Sequence, residues 1–468
     1  MVSLLRFCPL IVFLFYSATS VFRFSWVTPP GIVLIGRDQP SVLKTHIKAS
    51  ETVPLEAREE EQNSSVIPCS SFINGIVEER RYRYQKGTLC CDRSHYRTDI
   101  CYMKGDIRTD SPSSSILLYN GGEMKGEELI RPYTRKWEVE IMKTIDELRL
   151  RSINGSLSPR QCDVKHQVPA VVISTGGYTG NVYHEFNDGL LPLYLTIERF
   201  KGEVVVVVVE FHNWWLTKYE SVVKKLTNYQ VVDFSGDPRV RCFPEVIVGL
   251  KIHGELAVNP SIGNGKTIQD FRALIADGFQ VSSSNQLKKA PTGVHGRPTL
   301  AIFIRNKSRQ LLNLREIEKT CRLIGFEVVI LNPRKDTPLA DIFAVLNSAD
   351  AMLGVHGAAL THFLFMKPNS VFIQIVPLGL SWAAEEYYGQ PARKLGLEYM
   401  DYNITAEESS LSRDYGRTHP VLVDPTSVNK KGWSETKRIY LQKQNVRVDI
   451  KRFRRVIAKA YSYLLGLN

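Results

Sequence analysis

Two sets of side chains in this 468-residue chain have the types and spacing to do chemistry. The first lies in Gly354-Val-His-Gly-Ala-Ala-Leu-Thr361 and in Ile304-Arg-Asn-Lys-Ser-Arg309. Gly354 to Ala359 is a turn of small residues around one histidine, set between an apolar strand and the helix predicted over Leu360 to Met366. Backbone N–H groups in such a turn can approach an anion that the helix dipole also favours, and a phosphate is the natural guest. His356 adds a donor, with Gly357, Ala358 and Thr361 around it. Arg305, Ser308 and Arg309 follow a strand directly, at the carboxyl end where α/β sheets bind ligands. Both features also have a plain structural explanation, since small residues suit any strand-to-helix turn and a basic turn is often solvated surface. The second set is His184-Glu-Phe-Asn-Asp188, at the start of a helix. At spacing i, i+4 His184 and Asp188 share a face, so Asp188 can accept a proton itself or orient His184. Glu185 points about 100° away. Acidic residues in a first turn are also ordinary capping.

The elements that must position these groups alternate in type. Ala170 to Ser174 reads as a buried strand, Thr175 to Tyr183 as a loop and His184 to Phe200 as a helix. Glu203 to Phe211 holds six consecutive valines, the pattern of a strand covered on both faces. Trp215 to Leu226 and Tyr229 to Phe234 repeat helix and strand, and Pro244 to Leu250 adds a strand. After a connection from Lys251 to Pro298 the alternation restarts, with strands at Leu300 to Ile304, Glu327 to Leu331, Ala351 to Leu353 and Val371 to Val376. Helices are predicted at Leu312 to Ile324, Leu339 to Leu346 and Val448 to Leu465, and a helix-like spacing runs from Arg135 to Leu150. Two alternating halves predict two Rossmann-like subdomains facing a cleft, with Arg305 and His356 on one side and His184 and Asp188 on the other. Val376, Pro377, Trp382, Glu386 and Tyr387 follow a strand of the second half and are candidates to shape the pocket. Trp214 and Trp215 suit sugar stacking or a buried hinge.

The run Met352-Leu-Gly-Val-His-Gly-Ala-Ala-Leu-Thr361, followed by Lys367-Pro and a strand ending in Val376-Pro-Leu-Gly379, resembles the signature of glycosyltransferase family 61. Within the family it is most similar to the plant branch that decorates xylan. Gly177-Tyr-Thr-Gly-Asn-Val-Tyr-His-Glu-Phe-Asn-Asp188, Ile304 to Arg309 and Ala383-Glu-Glu-Tyr-Tyr-Gly-Gln-Pro-Ala-Arg393 extend the likeness from about Cys91 to the end. Ala359 departs from it, because the family more often has glycine there. The resemblance implies a GT-B type fold and an inverting, metal-independent transferase. A UDP-sugar would be its co-substrate, without a cofactor. Together with the positions and spacings above, this points to Arg305, Ser308, Arg309, His356, Gly357, Ala358, Thr361 and Glu386 for the nucleotide sugar, and to His184, Glu185 and Asp188 for catalysis, with Asp188 as base. The implied donor is UDP-arabinofuranose or UDP-xylose and the implied acceptor xylan. Transfer of xylose or N-acetylglucosamine to glycoproteins is the alternative within the class. A catalytically silent glycan-binding scaffold of a Golgi complex is the alternative outside it. The chain contains no Asp-x-Asp, so the departing diphosphate is expected to be neutralised by basic side chains rather than by a metal on clustered carboxylates.

Composition sets the frame. Lys plus Arg number 60 against 48 acidic residues, a net charge of +12, yet no nucleic-acid motif interleaves the basic residues with aromatics. Cys69, Cys90, Cys91, Cys101 and Cys162 crowd into the first third of the chain, which predicts one or two disulfides in an oxidising lumen, with the pairing open. Asn63, Asn154, Asn306 and Asn403 open glycosylation sequons, of which Asn306 is expected to go unused if it lines the cleft. Phe7 to Phe22 is mostly apolar between Arg6 and Arg23, the pattern of an uncleaved type II signal anchor in the Golgi membrane or of a cleaved signal peptide. The expected organisation is a tail and anchor at 1–27, a stem at 28–68 and a cysteine-containing extension at 69–168. An acceptor-side half follows at 169–298, and a nucleotide-sugar half with the C-terminal helix at 299–468.

Overall fold

The computed structural model describes residues 69–74, 87–119, 127–153, 160–262, 265–283 and 296–467. All lie in one compact unit, Val66–Asn468. The expected anchor and stem, and the sequons at Asn63 and Asn154, fall outside the described residues. Among the described residues no helix is long and apolar enough to cross a membrane.

The fold is mixed α/β around two sheets. The larger holds β1 (Thr88–Asp92), β2 (Ile100–Asp110), β3 (Ser115–Tyr119), β4 (Glu127–Ile130), β5 (Leu148–Ile153), β6 (Val164–Lys165), β7 (Ala170–Ser174), β8 (Val205–Val209), β9 (Val232–Asp233) and β10 (Arg241–Val248). Its order is β4-β5-β3-β2-β10-β7-β8-β9, with β1 on β2 and β6 on β10. The strands of the expected half-sheet are parallel, and all six valines from Val204 to Val209 are buried as a two-sided strand requires. The segment before them is part of the same sheet. β2 pairs antiparallel with β10, Met103 opposite Val246 and Tyr102 opposite Ile247. The helix predicted from Arg135 to Leu150 shrinks to one turn at Val139–Met142 and then becomes β5. The period is two there, Leu148 and Leu150 being fully buried between arginines.

The smaller sheet holds β11 (Thr299–Phe303), β12 (Glu327–Leu331), β13 (Ala351–Val355), β14 (Val371–Val376) and β15 (Glu398–Asn403). It is parallel throughout, in the order β12-β11-β13-β14-β15. The strand order therefore reverses between β11 and β13, which opens a crevice at their carboxyl ends. The connection read over Lys251 to Pro298 contains a helix, Ile268–Ser283, whose Ile268, Phe271, Ile275 and Phe279 are buried at helical spacing. Phe271 meets Phe186 at 6.5 Å and Phe279 meets Phe343 at 5.0 Å, so this helix joins the cores behind both sheets. The C-terminal helix, Ile450–Leu464, buries Phe453, Ile457 and Ala460 and turns Lys451, Arg452, Arg454 and Arg455 outward.

Three disulfides occur among the described residues, one more than the upper expectation: Cys69–Cys90, Cys91–Cys101 and Cys162–Cys242. The extra pairing arises because Cys242, on β10, lies far from the cysteine cluster in sequence but beside it in the sheet. Asn403 is exposed at the end of β15, and Asn306 is also exposed, its amide donating to Asn332 Oδ1 at 3.0 Å.

Candidate functional site

A cleft of about 830 Å³ lies between the two sheets and is lined from both. On the β11–β13 side, Arg305, Ser308, Arg309, His356, Gly357 and Ala358 reach it. Arg309 sits at φ +56°, held by its N–H donating to Gln444 O at 2.7 Å and its Nη1 donating to His356 O at 3.0 Å. Arg305 Nε donates to Ser308 O at 3.0 Å. Neither guanidinium has an acidic partner among the described residues. Burial lowers the pKa of Arg305, and burial with Arg305 alongside lowers that of Arg309 to about 9. Gly357 lies beneath both: at φ +151° a Cβ there would fall 2.5 Å from Arg305 Nη1 and 2.9 Å from Arg309 Nη1.

His356 completes this wall. Its Nδ1 accepts from Gln374 Nε2 at 2.8 Å, and Gln374 Oε1 accepts from the Tyr399 hydroxyl at 2.7 Å. Nε2 therefore carries the proton. Burial, with the two arginines adding to it, pushes the pKa down to about 3, so the imidazole is a neutral donor. Tyr388 fixes the loop by donating to Gly357 O at 3.0 Å. Two uncompensated cations and one neutral N–H donor thus meet at one wall of the cleft.

Two expected members stand apart from it. Ala358–Phe365 is a 3₁₀-helix rather than an α-helix, and it sinks Thr361 to 0% exposure below the loop, off the cleft surface. Glu386 faces solvent and accepts from Gln390 at 3.3 Å. The neighbouring Tyr387 and Tyr388, on the π-helical turn Glu385–Gly389, line the cleft instead.

The opposite wall is built on the helix after β7. Asn181 caps it by accepting from Tyr183 N at 3.1 Å, and the helix passes from α at Val182–His184 to π at Glu185–Leu190. Asp188 is enclosed, its side chain 0% exposed, and does not reach the cleft. Its Oδ2 accepts from His184 Nδ1 at 2.6 Å and from Arg135 Nε at 2.8 Å, while Arg97 Nη2 lies 3.5 Å from Oδ1. Burial pushes the Asp188 carboxyl up, but the bond to His184 and the charge of Arg135 outweigh it and hold it below the ordinary carboxylate range. His184 does line the cleft, stacked on Tyr178 at 4.1 Å. Arg135 Nη2 is also 3.2 Å from Nδ1 but can only donate, so the Nδ1 proton goes to Asp188 and Nε2 is left as the basic nitrogen. Glu185 turns inward, accepting from Gly180 N at 2.6 Å and Trp215 Nε1 at 2.7 Å, with its pKa raised by burial. It braces the loop before the helix.

Arg97, Arg135, Glu138 and Glu255 are the residues that sequence reasoning missed. Arg97 reaches Glu255 at 2.6 Å, and the Tyr183 hydroxyl donates to the same carboxylate at 2.5 Å. Arg135 reaches Glu138 at 3.1 Å, and Glu138 accepts from the Tyr178 hydroxyl at 2.5 Å. The arginines stand in loops between strands of the antiparallel extension, where no periodicity marks them. The alternation of β5 was the available clue that this segment joins the sheet. The expected Trp382 lines the cleft, beside Trp433 at 6.1 Å, whereas Trp215 is buried and Trp214 is exposed away from it.

A family model described as Glycosyltransferase 61 matches residues 255–373, which include Glu255, the loops that carry Arg305 and His356, and the helix joining the two cores. The chain is 49% identical over 403 residues to the xylan glycosyltransferase MUCI21 of Arabidopsis thaliana, covering 82% of each. It is 38% identical over 395 residues to the beta-1,2-xylosyltransferase XYXT1 of Oryza sativa subsp. japonica, covering 80% of this chain and 84% of the relative. With the alpha-1,3-arabinosyltransferase XAT3 of the same rice it shares 36% over 409 residues, 86% of this chain and 70% of the relative. Similarity of this degree, extended along most of both partners, makes the chain a glycosyltransferase that belongs to glycosyltransferase family 61.

Proposed function

We propose that this enzyme moves a pentose, arabinofuranose or xylose, from a UDP-sugar to xylan with inversion at the anomeric carbon. The observation that carries the reading is one cleft with two unpaired guanidiniums on one wall and a carboxylate-oriented imidazole on the other, in a chain similar to proteins named for xylan glycosyl, xylosyl and arabinosyl transfer. Arg305, Arg309 and the Nε2–H of His356 hold the diphosphate, and their attraction strengthens as charge develops on the leaving oxygen. His184 Nε2 takes the proton of the acceptor hydroxyl as that oxygen bonds to the anomeric carbon and the carbon–phosphate oxygen bond breaks. Asp188 keeps the proton of His184 on Nδ1 and stabilises the imidazolium that forms. The base is thus His184 rather than Asp188, which is sealed from the cleft. Side chains supply the cationic charge, so we propose a metal-independent reaction in a GT-B architecture.

We further propose a Golgi type II membrane protein, anchored through 1–27 with the catalytic part lumenal. Three disulfides suit an oxidising lumen. The test offers the full chain a panel of UDP-sugars with xylo-oligosaccharides in excess EDTA. Transfer of one pentose, strongly reduced in His184→Gln, is the expected result. Transfer of N-acetylglucosamine to a glycoprotein, or binding of xylan with no turnover of any pentose donor, overturns the reading.

A further inference from the structure

Two exposed aromatic side chains, one of them on the His184 wall of the cleft, have no part in the mechanism above. Trp137 lines the cleft and is 43% exposed, and Tyr96, 5.8 Å away between ring centroids, is 66% exposed. Their loops are tied together. Lys136 N donates to Arg97 O at 3.0 Å, and Lys136 Nζ reaches Asp99 at 2.6 Å and Arg93 O at 2.8 Å. Beneath, the guanidiniums of Arg97 and Arg135 lie 4.8 and 5.1 Å from the Trp137 ring centroid. These are the cations that hold Asp188, so the indole and the catalytic imidazole are fixed by one network. His95 stacks on Tyr96 at 5.2 Å.

We infer that Tyr96 and Trp137 form an acceptor subsite that stacks the sugar rings adjoining the one that receives the pentose. The enzyme then recognises a run of pyranoses rather than a single sugar. The inference rests on the xylan reading and deepens it. The platform is aromatic, and the guanidiniums behind it are answered by carboxylates, so it suits an uncharged amphipathic ring whose C–H face meets the π surface while its hydroxyl edge stays wet. The two rings stand 5.8 Å apart and tilted by 41°, so adjoining sugars of a twisted chain can each meet one of them. A platform whose loops are already tied together loses less freedom on meeting a glycan. Trp214 is comparably exposed, at 46%, but does not line the cleft and carries no such role.

The test measures KM for xylobiose and xylohexaose with the full chain and its working donor. In the unaltered enzyme the longer acceptor has the lower KM. Tyr96→Ala and Trp137→Ala each shrink the ratio of the two KM values by about tenfold. Trp137→Phe, which retains a ring, restores most of it, and Trp214→Ala keeps the unaltered ratio. Should Trp137→Ala fail to fold, Tyr96→Ala decides alone, because its side chain is exposed. Turnover by Tyr96→Ala with an unaltered length preference overturns the subsite while leaving the xylan reading intact. Absence of transfer to either acceptor by the unaltered enzyme overturns the xylan reading, and the subsite falls with it.

Discussion

On one wall of the cleft, Arg97 and Arg135 are answered by Asp188, Glu138 and Glu255. On the other, Arg305 and Arg309 have no acidic partner among the described residues. Paired charges fix geometry, and here they fix where an imidazole points. Unpaired buried charges destabilise the empty protein and are relieved by a ligand of opposite sign. The histidines follow the same division. His184 has its Nδ1 on a carboxylate, whereas His356 has its Nδ1 on an amide and stays neutral. In the proposed reaction one wall moves the proton and the other holds the anion.

The sharpest way to break this division is at His184. His184→Gln should lower kcat by about 10²–10⁴-fold, the range of a lost general base, while calorimetric affinity for the UDP-sugar is retained. A kcat within tenfold of the unaltered enzyme would remove His184 from the reaction. Next come paired substitutions whose thermal melts should move in opposite directions. Arg309→Met should reduce kcat/KM by about 10²–10³-fold yet hold or raise the melting temperature, since it deletes an uncompensated buried charge. Asp188→Asn should destabilise by about 3–5 kcal/mol, because Arg97 and Arg135 then lose their shared buried carboxylate. Melts moving in the same direction would show that the two walls do not differ as described.

Gly357→Ala probes the anion wall more gently. The added methyl meets the far ends of Arg305 and Arg309 and, at φ +151°, also strains the backbone, so the melting temperature should fall while the donor KM rises roughly tenfold, the scale of one lost bond to a charged group. The smallest effect is in pH dependence. His356 and His362 are buried with pKa values lowered from 6.5 to about 3 and about 4, by desolvation first. The folded state then binds fewer protons than the unfolded one below 6.5. Stability is therefore full above that pH and drains as pH falls, by up to about 1.4 kcal/mol per unit for each histidine. Denaturant titrations of His362→Gln at several acidic pH values should show a shallower slope. An unchanged slope would mean that His362 is not held neutral.

Much of the anion wall is legible in the sequence because it is local. Apolar runs mark β11, β13 and β14, and in a parallel sheet any polar residue just past such a run stands at the ligand-binding edge. Arg305, Arg309 and His356 are found by that rule alone. Misplacements on this side are at the scale of one turn: Thr361 sinks because six successive residues of a 3₁₀-helix are buried, and Glu386 gives way to Tyr387 on a π turn. The proton-transfer wall is less legible because it is assembled from distant segments. The spacing of His184 and Asp188 identifies the pair, but the π-helical turn and the enclosing arginines decide which of them meets the cleft. Those arginines belong to loops around β2 and β5, and no nearby residue announces that β2 will lie against β10.

That last pairing bears on how the enzyme comes into being. The smaller sheet uses strands drawn from one continuous stretch, so it can close soon after that stretch is made. β2 pairs locally with β1 and β3, but its long central pairing is with β10, far along the chain. With that pairing Arg97 and Arg135 close over Asp188. When the whole chain refolds, recovery of transfer activity should therefore lag recovery of donor binding, because the wall that moves the proton depends on the pairing of strands distant in sequence.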